Sequence, residues 1–339
     1  MPTNPNQRDQ NTSSNIQHSQ IAIHRDISGA RHAEVSQTQT IPVSQGFGPD
    51  VVGTERPPPN IILVSKDSVS FYTDEYTLLR LSNNNFNGLL PLPSQASVNR
   101  MVFLKNLPSS ELKIVLHAIY VNVPITSSGN SLDDFQLLAR GIGWLPTFGI
   151  PVKSVILPRT PLFNRMLSFA PLHSVEVYSL AGHHDMNDLA VTASSHTLSV
   201  DLASLKKELA KHMGPTYLLR LLRLHRIRQT TLLSLLAKAP DSHSETEECR
   251  SEDQQVLKGE WNTSVGFLIG KVNAGTVPGL IREAVMSHTS SITCKDCTRA
   301  RDARLNAVLA EWSATVVSLE MPSPFEYVPT AFTEIRMTI

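Results

Sequence analysis

Residues 61–86 read IILVSKDSVSFYTDEYTLLRLSNNNF, and this stretch decides the fold. Ile61–Val64 is a β-branched run, Ser65-Lys66-Asp67 turns the chain, and Val69–Tyr72 is a second extended run, so the pattern predicts a β-hairpin. Thr73 stands where an N-cap belongs, and Asp74 and Glu75 occupy a first helical turn that favours acidic groups. Leu78, Leu79 and Ser82 continue at helical spacing.

Working outward, a third strand is expected at Arg100–Leu104. Pro108–Glu111 opens a helix in which Leu112, Val115, Leu116, Ile119 and Tyr120 form one apolar stripe. A further helix is expected over Leu132–Gly143. Between Pro161 and Ala239 the chain reads as all helix, with candidates at Ser174–Ala181, Met186–Ser195, a start at Ser199, and a long helix after Gly214-Pro215. Residues 240–259, PDSHSETEECRSEDQQVLKG, are acidic and polar and read as a solvated linker. Beyond it lie a helix around Val277–Met286 and a longer one after CKDC at 294–297. Residues 1–56 are rich in Gln, Asn, Ser and Thr, a composition that cannot offset its ordering entropy by burial, so a disordered tail is expected. The resulting division is a tail at 1–56, an α+β domain at 57–160, a helical region at 161–239, a linker at 240–259 and a C-terminal helical region at 260–339.

The 339 residues carry 30 basic and 30 acidic side chains, which is not the footprint of a protein held on phosphates by charge alone. Three cysteines are too few for a disulfide scaffold and fit a reducing compartment. The N-terminus has no apolar h-region, and no run approaches the ~20 apolar residues of a membrane helix. The expectation is a cytoplasmic or nuclear protein with no membrane contact.

Cys294 and Cys297 are spaced as half of a tetrahedral zinc site. The second half is not present as a pair. Cys249 and His288 are available to complete a set, but Cys249 falls in the expected linker. The two thiols are therefore read as structural, with metal binding by Cys294 and Cys297 the lower-ranked alternative, and no cofactor is expected. His183-His184-Asp185 reads as a polar helix connection, because adjacent histidines on a helix point in different directions. Arg220, Arg223, Arg226 and Arg228 lie on the helix 217–228 and are the candidate contact for nucleic acid. They fall between apolar positions, as on a solvated helix face. There is no GxSxG, P-loop, GxGxxG after a strand, or HExxH, so an enzyme is not expected.

The order of pieces in residues 58–160 resembles the BTB/POZ domain, an α/β interaction fold. The hairpin IILVSKDSVSFY resembles that family's opening, and Asp74, Leu78, Ser82 and Phe86 resemble its His-x-x-x-Leu-x-x-x-Ser-x-x-Phe helix and exit. The family's His is Asp74 here, and the Phe comes one residue late. LKIVLHAIYVN resembles the family's next helix through Leu116, Ile119 and Tyr120, and FQLLARGIGW resembles the one after it. Downstream, PTYLLRLLRLHRIRQ and the CKDC helix resemble BTB/POZ proteins expanded in mushroom-forming (basidiomycete) fungi. The resemblance implies a non-catalytic protein–protein interaction module. Its implied partners are a second copy in a homodimer, and cullin-type ubiquitin ligases for which such a module is an adaptor. A nucleic-acid-associated transcriptional regulator is the alternative function. Phe71, Tyr72, Tyr76 and Leu79 are the candidate partner interface, Phe71 and Leu79 competing for core positions.

Overall fold

The computed structural model describes residues 42–50, 56–92, 100–121, 129–315, 317 and 318. The chain divides into two units, Met1–Arg165 and Met166–Ile339. A small three-stranded sheet with surrounding helices makes the chain mixed α/β, compatible with the expected α+β class.

The first unit starts from the hairpin. β1 (Ile61–Val64) pairs antiparallel with β2 (Ser70–Thr73), Ile61 opposite Thr73 and Val64 opposite Ser70. The turn is closed by the Ser65 hydroxyl, which accepts from the Val69 amide at 3.0 Å. β3 (Met101–Phe103) runs parallel to β1, so the sheet order is β2-β1-β3. Between β2 and β3 lies α1 (Glu75–Leu81). Its N-cap is Asp74 rather than Thr73, because Asp74 Oδ1 accepts the Thr77 amide at 2.7 Å. Asp74 is buried, and its other oxygen accepts the Tyr120 hydroxyl at 2.8 Å. Asp74 is thus an internal tie between the end of β2 and the helix after β3.

After α1 comes a four-residue turn, α2 (Asn85–Gly88), in which every φ is positive: 57° at Asn85, 52° at Phe86, 59° at Asn87 and 71° at Gly88. Asn tolerates this left-handed region through its short polar side chain; Phe does not. Phe86 is held there by full burial and by stacking on Phe148, 4.2 Å between ring centres. α3 (Ser109–Ile119) and α4 (Leu132–Gly143) then form a helical pair. They approach closely at Gly141, where a Cβ would lie 2.6 Å from Ile114 Cβ. Ser131 and Asp134 cap α4 reciprocally, at 3.2 and 3.1 Å. α5 (Val152–Val155) and α6 (Pro161–Leu167) follow.

The disordered tail expected over residues 1–56 needs correction. Residues 1–41 and 51–55 lie outside the described residues. Pro42–Asp50 lies against β2: the Ser70 amide donates to the Pro42 carbonyl at 2.8 Å and the Tyr72 amide to the Phe47 carbonyl at 2.8 Å. Phe47 is fully buried among the rings of Phe71, His117 and Tyr120, 5.6–6.1 Å away. The Arg56 guanidinium covers the Phe47 and Tyr120 rings at 4.9 and 4.8 Å. One aromatic side chain in a polar segment supplies the burial that composition averages away.

The second unit is helical: α7 (Ser174–His183), α8 (Asn187–Ser194), α9 (Lys207–Ala237), α10 (Ser251–Ile269), α11 (Pro278–His288) and α12 (Lys295–Ala314). The helix expected from Ser199 begins only at Lys207, after a 3₁₀ turn at Leu202–Ser204. Gly214, with φ 76° and ψ 164°, breaks α9 where the Gly-Pro pair predicts. α7 packs on α9 at Gly182, where a Cβ would meet the Met213 carbonyl at 2.7 Å.

The expected linker at 240–259 is not one. Its second half is the start of α10, and one core joins Leu232 and Leu236 of α9 to Trp261 and Leu268 of α10, Ile281 and Val285 of α11, and Leu305, Val308 and Trp312 of α12. The end of α9 therefore shares a core with α10, α11 and α12. Arg228, buried, clasps this arrangement: it donates to the Ala274 carbonyl at 2.7 Å and the Thr315 carbonyl at 3.0 Å, and lies 4.1 Å over the Trp312 ring. Among the described residues no helix is long and apolar enough to cross a membrane.

Candidate metal centre

The segment between α9 and α10 is short of regular structure but not of direction. Thr246 and Cys249 exchange backbone hydrogen bonds at 3.0 and 3.3 Å, closing a tight turn over Glu247 and Glu248. The turn swings Cys249 inward, where it is buried against Leu257 and Cys297 with Ile292 alongside. α10 starts immediately afterwards, the Arg250 amide donating to Asp253 at 2.9 Å. Cys294 is the N-cap of α12 and Cys297 lies one turn inside it. A CxxC at a helix start places both sulfurs on the same side of the first turn.

Three sulfurs and one imidazole converge here. The ligand atoms of His243, Cys249, Cys294 and Cys297 all lie within 4.8 Å of one another. Cys249 Sγ is 3.7 Å from Cys297 Sγ, and His243 Nε2 is 3.5 Å from Cys294 Sγ and 3.4 Å from Cys297 Sγ. The three cysteines are free thiols. His243 Nδ1 lies 2.7 Å from the Ser244 carbonyl, which can only accept, so the ring proton sits on Nδ1 and the Nε2 lone pair faces the sulfurs.

The surroundings differentiate the thiols. Backbone N–H groups of Cys297 and Asp296, at the start of α12, hold the Cys294 thiol down to about 7. Burial pushes Cys297 up to about 12 and raises Cys249 as well. The carbonyl of Ser244 raises His243.

The sequence paired Cys294 and Cys297 but looked to the wrong histidine. His288 is turned away: its Nδ1 lies 2.8 Å from the Ala284 carbonyl and its ring packs 5.2 Å from Phe267. His243 was the missed residue. The signal for it was its position six residues before Cys249, with all three cysteines confined to residues 249–297.

The other candidates are not brought into a site. His183 stacks on His212, 4.1 Å between nearly parallel rings, an arrangement that does not aim two nitrogens at one point. Asp185 accepts the Tyr217 hydroxyl at 2.9 Å. The basic row is divided. Arg228 is buried, Arg220 donates to Asn187 at 3.0 Å, and Arg223 and Arg226 are exposed. Of the interface candidates, Phe71 is corrected to a core residue at 1% exposure, since it faces Phe47. Tyr72 and Leu79 are half-buried, and Tyr76 is exposed at 71%.

In comparisons with family models, curated proteins and solved structures, nothing matches this chain.

Proposed function

We propose that the chain is a non-catalytic protein–protein interaction module that pairs with a second copy of itself through a BTB/POZ-like first unit. The observation that carries this reading is the topology of that unit. A β1–β2 hairpin is followed by α1, a parallel β3 on the far side of β1, and the α3–α4 pair, which is the order of pieces the sequence resemblance implies. Tyr76 on α1 and Phe103 on β3, exposed at 71% and 59%, supply large apolar groups of the kind that interfaces bury. An adaptor role toward a cullin-type ubiquitin ligase is the finer form of the same proposal. The nucleic-acid alternative loses support from the inward-facing Arg228 and the Arg220–Asn187 hydrogen bond.

Sedimentation of the full chain across a concentration series tests the reading. A dimer that Tyr76→Ala weakens is expected. A strict monomer at the highest concentration, in a chain that also captures no cullin, would overturn it.

A further inference from the structure

We infer that His243, Cys249, Cys294 and Cys297 together bind one Zn²⁺ as a closed structural site in the second unit.

The donor set comes first. Three thiolates and a neutral imidazole are the Cys₃His composition of structural zinc sites, with no position left open for a substrate. Iron–sulfur clusters are held mostly by four cysteine thiolates, one more than this site has; hard cations prefer oxygen. The distances agree with one ion. A tetrahedron with Zn–S of about 2.3 Å and Zn–N of about 2.05 Å has S···S edges of about 3.8 Å and S···N edges of about 3.6 Å. Three of the six edges match: 3.7 Å for Cys249–Cys297, and 3.5 and 3.4 Å for His243 to Cys294 and Cys297; the other pairs lie within 4.8 Å, so closing on one ion draws the looser edges in by up to about 1 Å.

The imidazole is also held as a ligand is held. Metal-binding histidines donate their other ring N–H to a carbonyl or carboxylate, which fixes tautomer and ring plane. His243 does this through Ser244. Cys294, at the α12 N-cap, receives the backbone N–H groups of Asp296 and Cys297. These offset part of the single negative charge that three thiolates, one imidazole and Zn²⁺ leave behind. Binding forms three Zn–S bonds and one Zn–N bond and releases the thiol protons to solvent.

A disulfide explains less. Joining Cys249 to Cys297 would leave Cys294 and the pre-oriented His243 without a purpose. The consequence of the zinc reading is mechanical. The ion ties the turn between α9 and α10 to the start of α12, so that chain lacking helix or strand is fixed at both ends.

The test uses the full chain. Metal analysis after purification in Zn²⁺ should give one equivalent per chain. The metal-free chain given Co²⁺ should develop thiolate charge-transfer absorption and the intense ligand-field bands of a tetrahedral site. His243→Ala and Cys249→Ser should each weaken binding by at least the roughly tenfold to hundredfold that even supporting residues contribute. His288→Ala should change nothing. Because a cysteine variant can fail to fold, chelation of the native chain gives a second reading: hydrogen exchange should rise around residues 243–249 and 294–297 first. Zinc well below one equivalent, Co²⁺ bands of octahedral intensity, full affinity in His243→Ala, or a Cys249–Cys297 disulfide that persists in Zn²⁺ would each overturn the inference.

Discussion

Trp261 is where the unity of the second unit can be measured. Its indole is fully buried in α10, and its Nε1–H donates to the Leu236 carbonyl in the last turn of α9 at 2.9 Å. That carbonyl is among those a helix end leaves without an internal partner. Trp261→Ala removes one of the two tryptophan side chains of this core, at a cost of ~3–5 kcal/mol. The abandoned carbonyl adds part of a further ~1–3 kcal/mol. At the low end of both ranges the total is ~4 kcal/mol, large against the ~5–15 kcal/mol that holds a domain together. With a urea slope of ~2 kcal/mol/M, the midpoint of this unit moves down by ~2 M. Trp261→Phe keeps most of the ring and loses only the hydrogen bond and some volume, so it should fall between the alanine variant and wild type. Val256→Ala, on a side chain 52% exposed, should stay within ~0.5 kcal/mol. The informative readout is hydrogen exchange. In Trp261→Ala, amides around Leu232–Leu236 should lose protection together with those of α10–α12, because they share one core. If α10–α12 opened while the end of α9 stayed protected, the helices would be two segments on a linker and the reasoning would fail.

Two further outcomes follow from the same coordinates of burial and charge. Phe47→Ala should cost the first unit ~3–5 kcal/mol although it lies in a polar segment, and a thermal melt showing less than ~1 kcal/mol would refute its place in the core. Burial, then the neighbouring His183 and His212, lowers the His184 imidazole from its ordinary 6.5 to about 4. The unfolded chain therefore takes up this proton first as pH falls, so stability is unaffected above pH 6.5 and declines from there toward pH 4. His184→Gln should flatten that decline in a pH series of urea midpoints, and an unchanged acid limb would count against it.

Local chemistry was legible in the sequence wherever it was sufficient. The expected limits of α4, Leu132–Gly143, are its true ones, because Leu137, Leu138 and Ile142 recur on one side, and the structure adds the Ser131–Asp134 cap. The start of α10 was missed for a physical reason. Its inward positions Gln254, Leu257, Trp261, Ser264 and Leu268 recur at three and four residues, but two of the five are polar and the outward face is charged. Composition saw a linker where spacing shows a buried face. Phe47 and His243 were missed differently. The rings that bury Phe47 come from β2 and the end of α3, and the two sulfurs that face His243 from the start of α12, all distant in sequence. The hairpin was readable, whereas the cysteine site required the tertiary fold.

The Arg228 clasp has a consequence in time. Its partner Thr315 lies 87 residues further along the chain. At synthesis rates of about 5–20 residues per second, Arg228 is made roughly 4–17 seconds before that carbonyl exists. Through that interval the leucines α9 will bury stay open to water and to other nascent chains. The core that joins the end of α9 to α10–α12 thus closes late, and its yield in a cell should depend on chaperones that shelter Leu232 and Leu236 while the rest is being made.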